Sequence, residues 1–287
     1  MEFKLNGLEK FIITNNKLSK VIVAILYFST LILRNKYPFI GTVTTIISFF
    51  VLLYVFLLPN LKNMQLVKLN NIDMNPVAFI NGANLMLDVI DSKDLTNVTT
   101  FCMHRIVALI NIGEYERAEN EIRLIWQNFD LGKIPAGVLA EMHILMANIA
   151  LERNDIKTFN EQMNLVYQYR EKAQGFVMLK NTLDYNIKNI LLYAEAITAD
   201  SNRSENDYES RILVHLNTNP INNKPIKKEP QPMSLFSAYS KLFEFFKHTG
   251  NTEKAIYYAQ QLINIGNEQL FDYRKAKEYL ENGNSSN

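Results

Sequence analysis

The chain has 287 residues, only 10 glycines and 8 prolines, one cysteine and a formal net charge of +1. Because Gly and Pro break helices, this composition favours a helical protein and excludes collagen-like or generally disordered chains. The single cysteine, Cys102, excludes an internal disulfide framework and fits a cytoplasmic domain. The residues after 58 lack the basic excess of a nucleic-acid-binding protein.

Residues 1–17 form a short N-terminal segment with apolar residues in a broad helical stripe. These residues are Phe3, Leu8, Phe11 and Ile12. The stripe fits an amphipathic helix lying in the membrane interface. Gly7 weakens such a helix, so a frayed terminus is the alternative.

Residues 18–58 predict a transmembrane hairpin of two helices. The run 39–58 is uncharged, and as a helix it covers about 30 Å, the thickness of a bilayer core. Pro38 suits the first helical turn and Pro59 is expected to stop the helix. A buried core helix is the alternative. The shorter run 18–33 spans the membrane if its flanking basic residues snorkel, and the alternatives are a cleaved signal peptide or an interfacial helix.

The short connection between the two runs predicts an antiparallel hairpin with both flanking segments on one side of the membrane. Basic residues favour that side by five to two: Lys10, Lys17, Lys20, Lys62 and Lys68 against Arg34 and Lys36. Because cytoplasmic segments carry the basic excess, we expect a multi-pass protein of the cell membrane with both termini in the cytoplasm. The lipid bilayer is therefore one expected partner.

Helical periodicity continues through the rest of the chain. Apolar residues recur at three and four positions, and Asn75 with Pro76 gives a typical helix start. The expected divisions are a connector, a main helical domain, a Pro- and Lys-rich linker, a C-terminal helical unit and a disordered tail: 59–74, 75–216, 217–232, 233–281 and 282–287. An ordered surface loop is the alternative for the linker.

Three short breaks predict three helical hairpins, at 112–115, 153–155 and 249–251. Segments 110–122 and 248–263 resemble the turn and second helix of a tetratricopeptide repeat. The resemblance rests on Gly113, Tyr115 and Ala118 in the first segment and on Gly250, Ala255 and Ala259 in the second. A weaker copy at 152–166 has Asn154 in the glycine position and Phe159 in a small-residue position.

The resemblance implies an all-α protein in which the transmembrane hairpin is followed by a TPR-like α-solenoid of irregular helix pairs. Its first helices would line a concave face that holds a peptide or a partner helix. Some members of this family clamp a peptide carboxylate with basic and Asn residues. Here Met103, Val107 and Leu145 occupy those positions.

The chain contains none of the common catalytic motifs, GxxxxGK[ST], GxGxxG, GxSxG or HExxH. Cys102 and His104 are two residues apart, which on a helix points them about 200° apart, so a shared metal is not expected. The sequence predicts no enzyme, no cofactor, no metal site, no nucleic acid and no small-molecule substrate.

The function expected from these observations is that of a membrane-anchored helical scaffold, which binds a protein or peptide partner at the cytoplasmic membrane face. The predicted partner-binding residues are Asn111, Asn148, Glu152, Glu244 and Lys247. The alternative for all five is that they are ordinary surface residues. A second hypothesis is an accessory or immunity subunit of a membrane transport or secretion system, and a third is an enzyme of unrecognised type.

Overall fold

A computed structural model describes residues 3–92, 94–173, 177–200 and 204–284. Within these ranges the chain is all-helical, which confirms the predicted class, and its one β-bridge joins Thr218 and Pro225. A short 3-10 helix covers Leu131–Lys133. The α-helices are α1 Gly7–Thr14, α2 Asn16–Lys36, α3 Pro38–Asn71, α4 Pro76–Leu87, α5 Leu95–Asn111, α6 Tyr115–Asn128, α7 Ala136–Glu152, α8 Ile156–Lys172, α9 Val177–Ile197, α10 Glu205–Leu216, α11 Pro232–Thr249, α12 Thr252–Ile265 and α13 Phe271–Asn284.

Helices α2 and α3 are both long enough and apolar enough to cross a membrane. They pack against each other, and Gly41 permits their close approach, because a Cβ atom there would lie 2.2 Å from the Cα atom of Arg34. Their outward side chains are strongly exposed, as with Ile32 (73%) and Phe39 (82%). Such a large apolar surface is typical of a lipid or protein contact.

The prediction that Pro59 ends the second apolar helix was wrong. Helix α3 continues through Pro59 to Asn71, over most of the segment expected to be a connector. A proline removes one backbone donor, which costs helix stability in isolation. Here Leu58, Leu66 and Leu69 are buried on both sides of the proline. They belong to a hydrophobic cluster with residues of α1, α4, α5, α6 and α7, which we call the first core cluster, and this packing holds the helix together.

The N-terminal segment contains a docked helix, α1. The Asn6 side chain accepts a hydrogen bond from the Glu9 amide (2.8 Å), while the Glu9 carboxylate accepts one from the Asn6 amide (2.9 Å). Glu9 also forms an ion pair of 2.8 Å with Lys62 of α3. Ile12 and Ile13 are buried in the first core cluster, so this helix packs on the protein as well as exposing an apolar side.

The three predicted breaks are confirmed as turns between α5 and α6, α7 and α8, and α11 and α12. Gly113 and Gly250 have φ values of +82°, and Asn154 has a φ of +56°. This left-handed conformation favours Gly and tolerates Asn, which explains both residue types at the turns. The assignment of these hairpins to tetratricopeptide repeats stays a prediction.

The segment 217–232 between α10 and α11 is held by hydrogen bonds, as expected for an ordered surface loop. The Asn219 amide donates to the Lys224 carbonyl (2.8 Å), and the Asn181 side chain of α9 donates to the Ile221 carbonyl (2.9 Å). Helix α13 continues to Asn284, into the segment predicted to be a disordered tail, and residues 285–287 lie outside the described part of the chain.

The C-terminal helices contact the segment before α4 and the turn after α5. The Asn267 side chain donates to the Met74 carbonyl (2.7 Å), and the Arg274 guanidinium donates to the Ile112 carbonyl (2.8 Å). Phe271 packs directly on Gly113, where an added Cβ atom would lie 2.6 Å from its ring. The helical body therefore closes on itself instead of remaining an open superhelix.

Candidate functional site

The closed arrangement of helices surrounds two adjoining polar cavities, which together we call the polar cleft. The first, of about 110 Å³, is lined by Ile110, Asn111, Tyr115, Asn148, Glu152, Asn189, Ile190, Tyr193, Met233, Phe236, Ser237, Ser240, Lys241, Leu270, Phe271 and Asp272. The second, of about 360 Å³, is lined by Asn70, Asn71, Val107, Asn111, Tyr185, Asn186, Asn189, Ile212, His215, Leu216, Met233, Ser234, Ser237, Ala238 and Lys241. The two share a wall formed by Asn111, Asn189, Met233, Ser237 and Lys241.

The wall of the cleft comes from the inner helices of the body. The first helices of the three hairpins, α5, α7 and α11, contribute residues, and α9 packs between α7 and α11. Helix α13 closes the first cavity, while the end of α3 and helix α10 close the second. Long-range packing, and not one local motif, therefore creates the site.

Three of the five predicted partner-binding residues lie together in the first cavity: Asn111, Asn148 and Glu152. Glu244 lies deeper, only 2% exposed, and forms ion pairs with Lys275 (2.5 Å) and Lys247 (3.2 Å). Lys275 also lies 3.8 Å from Glu152. Lys275, which the sequence did not single out, thus connects Glu152 with Glu244.

Glu152, Glu244, Asp272, Lys247 and Lys275 form an ion cluster of three carboxylates and two ammonium groups at one end of the cleft. Burial alone would lower the pKa of Lys275, but Asp272, Glu244 and Glu152 together raise it above its ordinary value. Burial, with the charge of Asp272, raises the pKa of Glu152, whereas the two lysines outweigh burial and lower the pKa of Glu244. These charges are matched mostly within the cluster.

Asparagine amides cover much of the remaining wall. The Asn111 side chain donates a hydrogen bond of 3.3 Å to Asn70, and the Asn186 side chain donates one of 2.8 Å to Glu141. The side chains of Asn148 and Asn189 are half-buried in the wall, and neither is hydrogen-bonded to another residue in the described ranges. Since an amide offers two donors and an acceptor, these two residues present unused hydrogen-bonding capacity to the cleft.

Lys241 and His215 are two further polar residues of the cleft, and sequence reasoning missed both. Each is only 5% exposed. The Lys241 ammonium donates to the Ser237 carbonyl (3.0 Å) and hydroxyl (2.7 Å), and it has no carboxylate within ion-pair distance in the described residues. The His215 ring stacks on Tyr185 with centroids 4.0 Å apart, and its Nε2 atom is buried without a hydrogen-bond partner among those residues.

Burial lowers the pKa values of both Lys241 and His215, because it disfavours their charged forms. It lowers the pKa of Lys241 to about 8, against an opposing effect of Asp272. It also lowers the pKa of His215 to about 4, assisted by the positive charges of Lys241 and Lys188. At neutral pH the cleft therefore contains a charged Lys241 beside a neutral His215.

The described residues contain no group of three or more His, Cys, Asp or Glu side chains placed to hold a metal ion. Comparison with known proteins gave no family model, no curated protein and no solved structure that matches this chain. The polar cleft can donate hydrogen bonds from its amides and attract one negative charge.

Proposed function

We propose that this protein is a membrane-anchored helical scaffold that binds a polar segment of a protein or peptide partner in the polar cleft. The observation that carries the proposal is the unused hydrogen-bonding capacity of Asn148 and Asn189. An extended peptide exposes backbone donors and acceptors along its length, and amide side chains can pair with both. In this proposal the three hairpins are TPR-like units whose first helices supply the binding face.

The continuity of α3 supports the membrane part of the proposal. This helix carries the second apolar segment, contributes Leu66 and Leu69 to the first core cluster, and ends with Asn70 and Asn71 in the cleft wall. A partner bound in the cleft is then held at a fixed distance from the bilayer. Such tethering raises the effective concentration of other molecules at that membrane.

In the proposed orientation both termini are cytoplasmic, because the basic residues flanking the hairpin outnumber those in its turn. Fusions of alkaline phosphatase or a fluorescent protein after residue 36 and after residue 284 test this topology. We expect a fluorescent fusion after 284 and an active phosphatase after 36. An active phosphatase after 284 with a dark fluorescent fusion there contradicts the orientation.

Photo-crosslinking in native membranes tests partner binding at the cleft. A photoreactive amino acid replaces Ser234, an exposed residue that lines the second cavity, and a matched control replaces Glu161, an exposed residue of α8 outside the cleft. We expect a discrete adduct from position 234 only, and we expect Asn148→Ala with Asn189→Ala to weaken it. An adduct that forms equally from both positions, or that the double variant leaves unchanged, removes the cleft as the binding site.

One observation favours the second hypothesis, an accessory or immunity subunit of a transport or secretion system. An apolar groove of about 540 Å³ runs between α1, α2 and α3 and is lined by Phe11, Ile22, Ile47, Phe50 and Val51, among others. A transmembrane helix of another subunit can pack there. Replacing residues 18–58 by an unrelated hairpin separates the two hypotheses. The subunit hypothesis predicts that the partner is no longer recovered with the protein, and the scaffold hypothesis predicts that it still is.

A further inference from the structure

Lys241 carries a positive charge that no neighbouring carboxylate matches within ion-pair distance among the described residues. Two of the three donors of its ammonium group are used by Ser237, at 3.0 Å to the carbonyl and 2.7 Å to the hydroxyl. Lys241 lines both cavities at their shared wall, and no described residue accepts the third hydrogen bond of its ammonium group. Buried charges are costly unless they are paired, so such a residue points to a ligand that completes the pairing.

The nearest carboxylates of the cleft are engaged elsewhere. Asp272 accepts a hydrogen bond from Ser240 (2.6 Å) and lies 3.7 Å from Lys275, while Glu244 pairs with Lys275 at 2.5 Å. The ion cluster is thus separate from Lys241, although Asp272 acts on it at longer range. A negative charge supplied by a ligand would meet an ammonium group that has no carboxylate partner among the described residues.

His215 gives a second, independent indication. Its side chain is 5% exposed, it lines the second cavity, and its Nε2 atom lacks a hydrogen-bond partner in the described residues. A neutral imidazole can donate one hydrogen bond from this atom in the appropriate tautomer. Stacking on Tyr185 at 4.0 Å fixes the plane of the ring. Lys241, His215 and the asparagines Asn111 and Asn189 therefore line the same cavity.

The charge and size of the cavity select the ligand class. One unmatched ammonium balances one negative charge, which fits a monocarboxylate better than a doubly charged phosphate. The volume of about 360 Å³ lies in the range of small-molecule sites and holds a group of amino-acid size. Asn111 and Asn189, in the shared wall, are placed to bind an amide or hydroxyl next to the carboxylate.

We propose that the polar cleft binds a carboxylate group at Lys241 and His215, with an amide or hydroxyl of the same ligand at Asn111 and Asn189. This inference rests on the proposed function, because both place the ligand in the polar cleft. It adds that the group bound there is a carboxylate. The carboxylate can come from a free small acid or from the partner segment itself.

Ligand-observed NMR and calorimetry on the full-length protein in lipid nanodiscs test this inference. The probe is N-acetylglycine, and the matched probe without a charge is N-acetylglycinamide. We expect millimolar or tighter binding of the acid, about tenfold tighter than that of the amide. Lys241→Met should weaken acid binding by about tenfold or more, while Lys157→Met, which removes an exposed lysine of α8 outside the cleft, should leave it unchanged.

His215→Phe is the second variant, since it keeps a stacking ring and removes only the nitrogen atoms. We expect several-fold weaker binding of N-acetylglycine. The inference is overturned if the wild-type protein fails to prefer the acid over the amide, or if Lys241→Met and His215→Phe both bind the acid as the wild type does. Should Lys241→Met fail to fold, His215→Phe alone decides between these results.

Two peptides then identify the source of the carboxylate and separate this inference from the proposed function. One carries a central glutamate with both ends blocked, and the other lacks the glutamate and has a free C-terminal carboxylate. Binding of the small acid but of neither peptide supports the carboxylate site and contradicts partner binding in the cleft. Peptide binding that Asn148→Ala with Asn189→Ala abolishes and Lys241→Met leaves intact supports partner binding and overturns the carboxylate site.

Discussion

Replacing Lys241 by methionine should change the stability of the protein in a pH-dependent way. Burial lowers the pKa of Lys241 from 10.5 to about 8. A shift of this size corresponds to about 3 kcal/mol against the charged form in the folded state. Methionine has a similar length and no charge, and it gives up the hydrogen bonds to Ser237, whose net contribution is about 1–2 kcal/mol. At neutral pH we therefore expect the variant to be more stable by about 1–2 kcal/mol.

The sign of this difference reverses as the pH rises. Between pH 8 and pH 10.5 the unfolded chain keeps the proton on Lys241 while the folded chain has lost it, so the wild type gains stability with increasing pH. The gain reaches about 3 kcal/mol and is absent from the variant. The other groups that face Lys241 are Asp272 of α13 and His215 of α10. They are present in both proteins and cancel in the comparison.

Denaturant unfolding of the full-length protein in detergent micelles, followed by circular dichroism, measures the difference. Lys157→Met serves as the control, because this exposed lysine of α8 has no buried charge to relieve. A difference between wild type and Lys241→Met that changes by less than about 0.5 kcal/mol from neutral pH to about pH 10 refutes the reasoning. It would mean that the ammonium is solvated or paired in the folded protein.

Three other substitutions test the fold. Val51→Arg in α3 should cost about 2.5–3.5 kcal/mol of membrane insertion, and normal membrane extraction with unchanged protease accessibility would contradict a membrane span. Gly113→Ala should destabilise the protein more than Gly250→Ala. Both glycines have φ values of +82°, but only the Cβ atom added at Gly113 would collide with Phe271. Equal melting temperatures of the two variants would contradict the packing of Phe271 on Gly113. Ala118→Asp places a charge at a fully buried position and should lower stability by about 3 kcal/mol or more, which thermal unfolding measures.

The positions of the helical hairpins could be predicted because their signals are local. A turn needs a residue that tolerates positive φ, and Gly113, Asn154 and Gly250 supply it. The start of α4 is equally local, since Asn75 accepts a hydrogen bond of 2.9 Å from the Ala78 amide. Rules of this kind depend on neighbours within one or two turns, all of which are visible in the sequence.

The end of α3 could not be predicted, because tertiary packing outweighed a local rule. Proline weakens a helix by removing one hydrogen bond, a cost that neighbouring contacts can exceed. Leu58 and Leu66 lie on either side of Pro59 and are 2% and 0% exposed. Their burial depends on helices α1 and α4, whose position relative to α3 no local pattern indicates.

The cleft could be predicted only in part. The repeat resemblance implied that Asn111, Asn148, Glu152, Glu244 and Lys247 lie on inner faces, and the structure brings the first three to one cavity. Lys241 and His215 gave no such signal, because a polar residue in a mostly apolar helix normally faces solvent. Helix α11 is instead buried on several sides, and this depends on α9, α10, α12 and the end of α3 packing around it.

Closure of the helical body has a kinetic consequence. The contacts that complete the cleft join residues 193 and 162 positions apart, Asn267 with Met74 and Arg274 with Ile112, whereas each hairpin needs only neighbouring segments. Ordering a long intervening chain costs more entropy than closing a short turn, so the hairpins form early and the cleft forms last. A molecule that binds only the completed cleft stabilises the native state, so we expect it to slow unfolding.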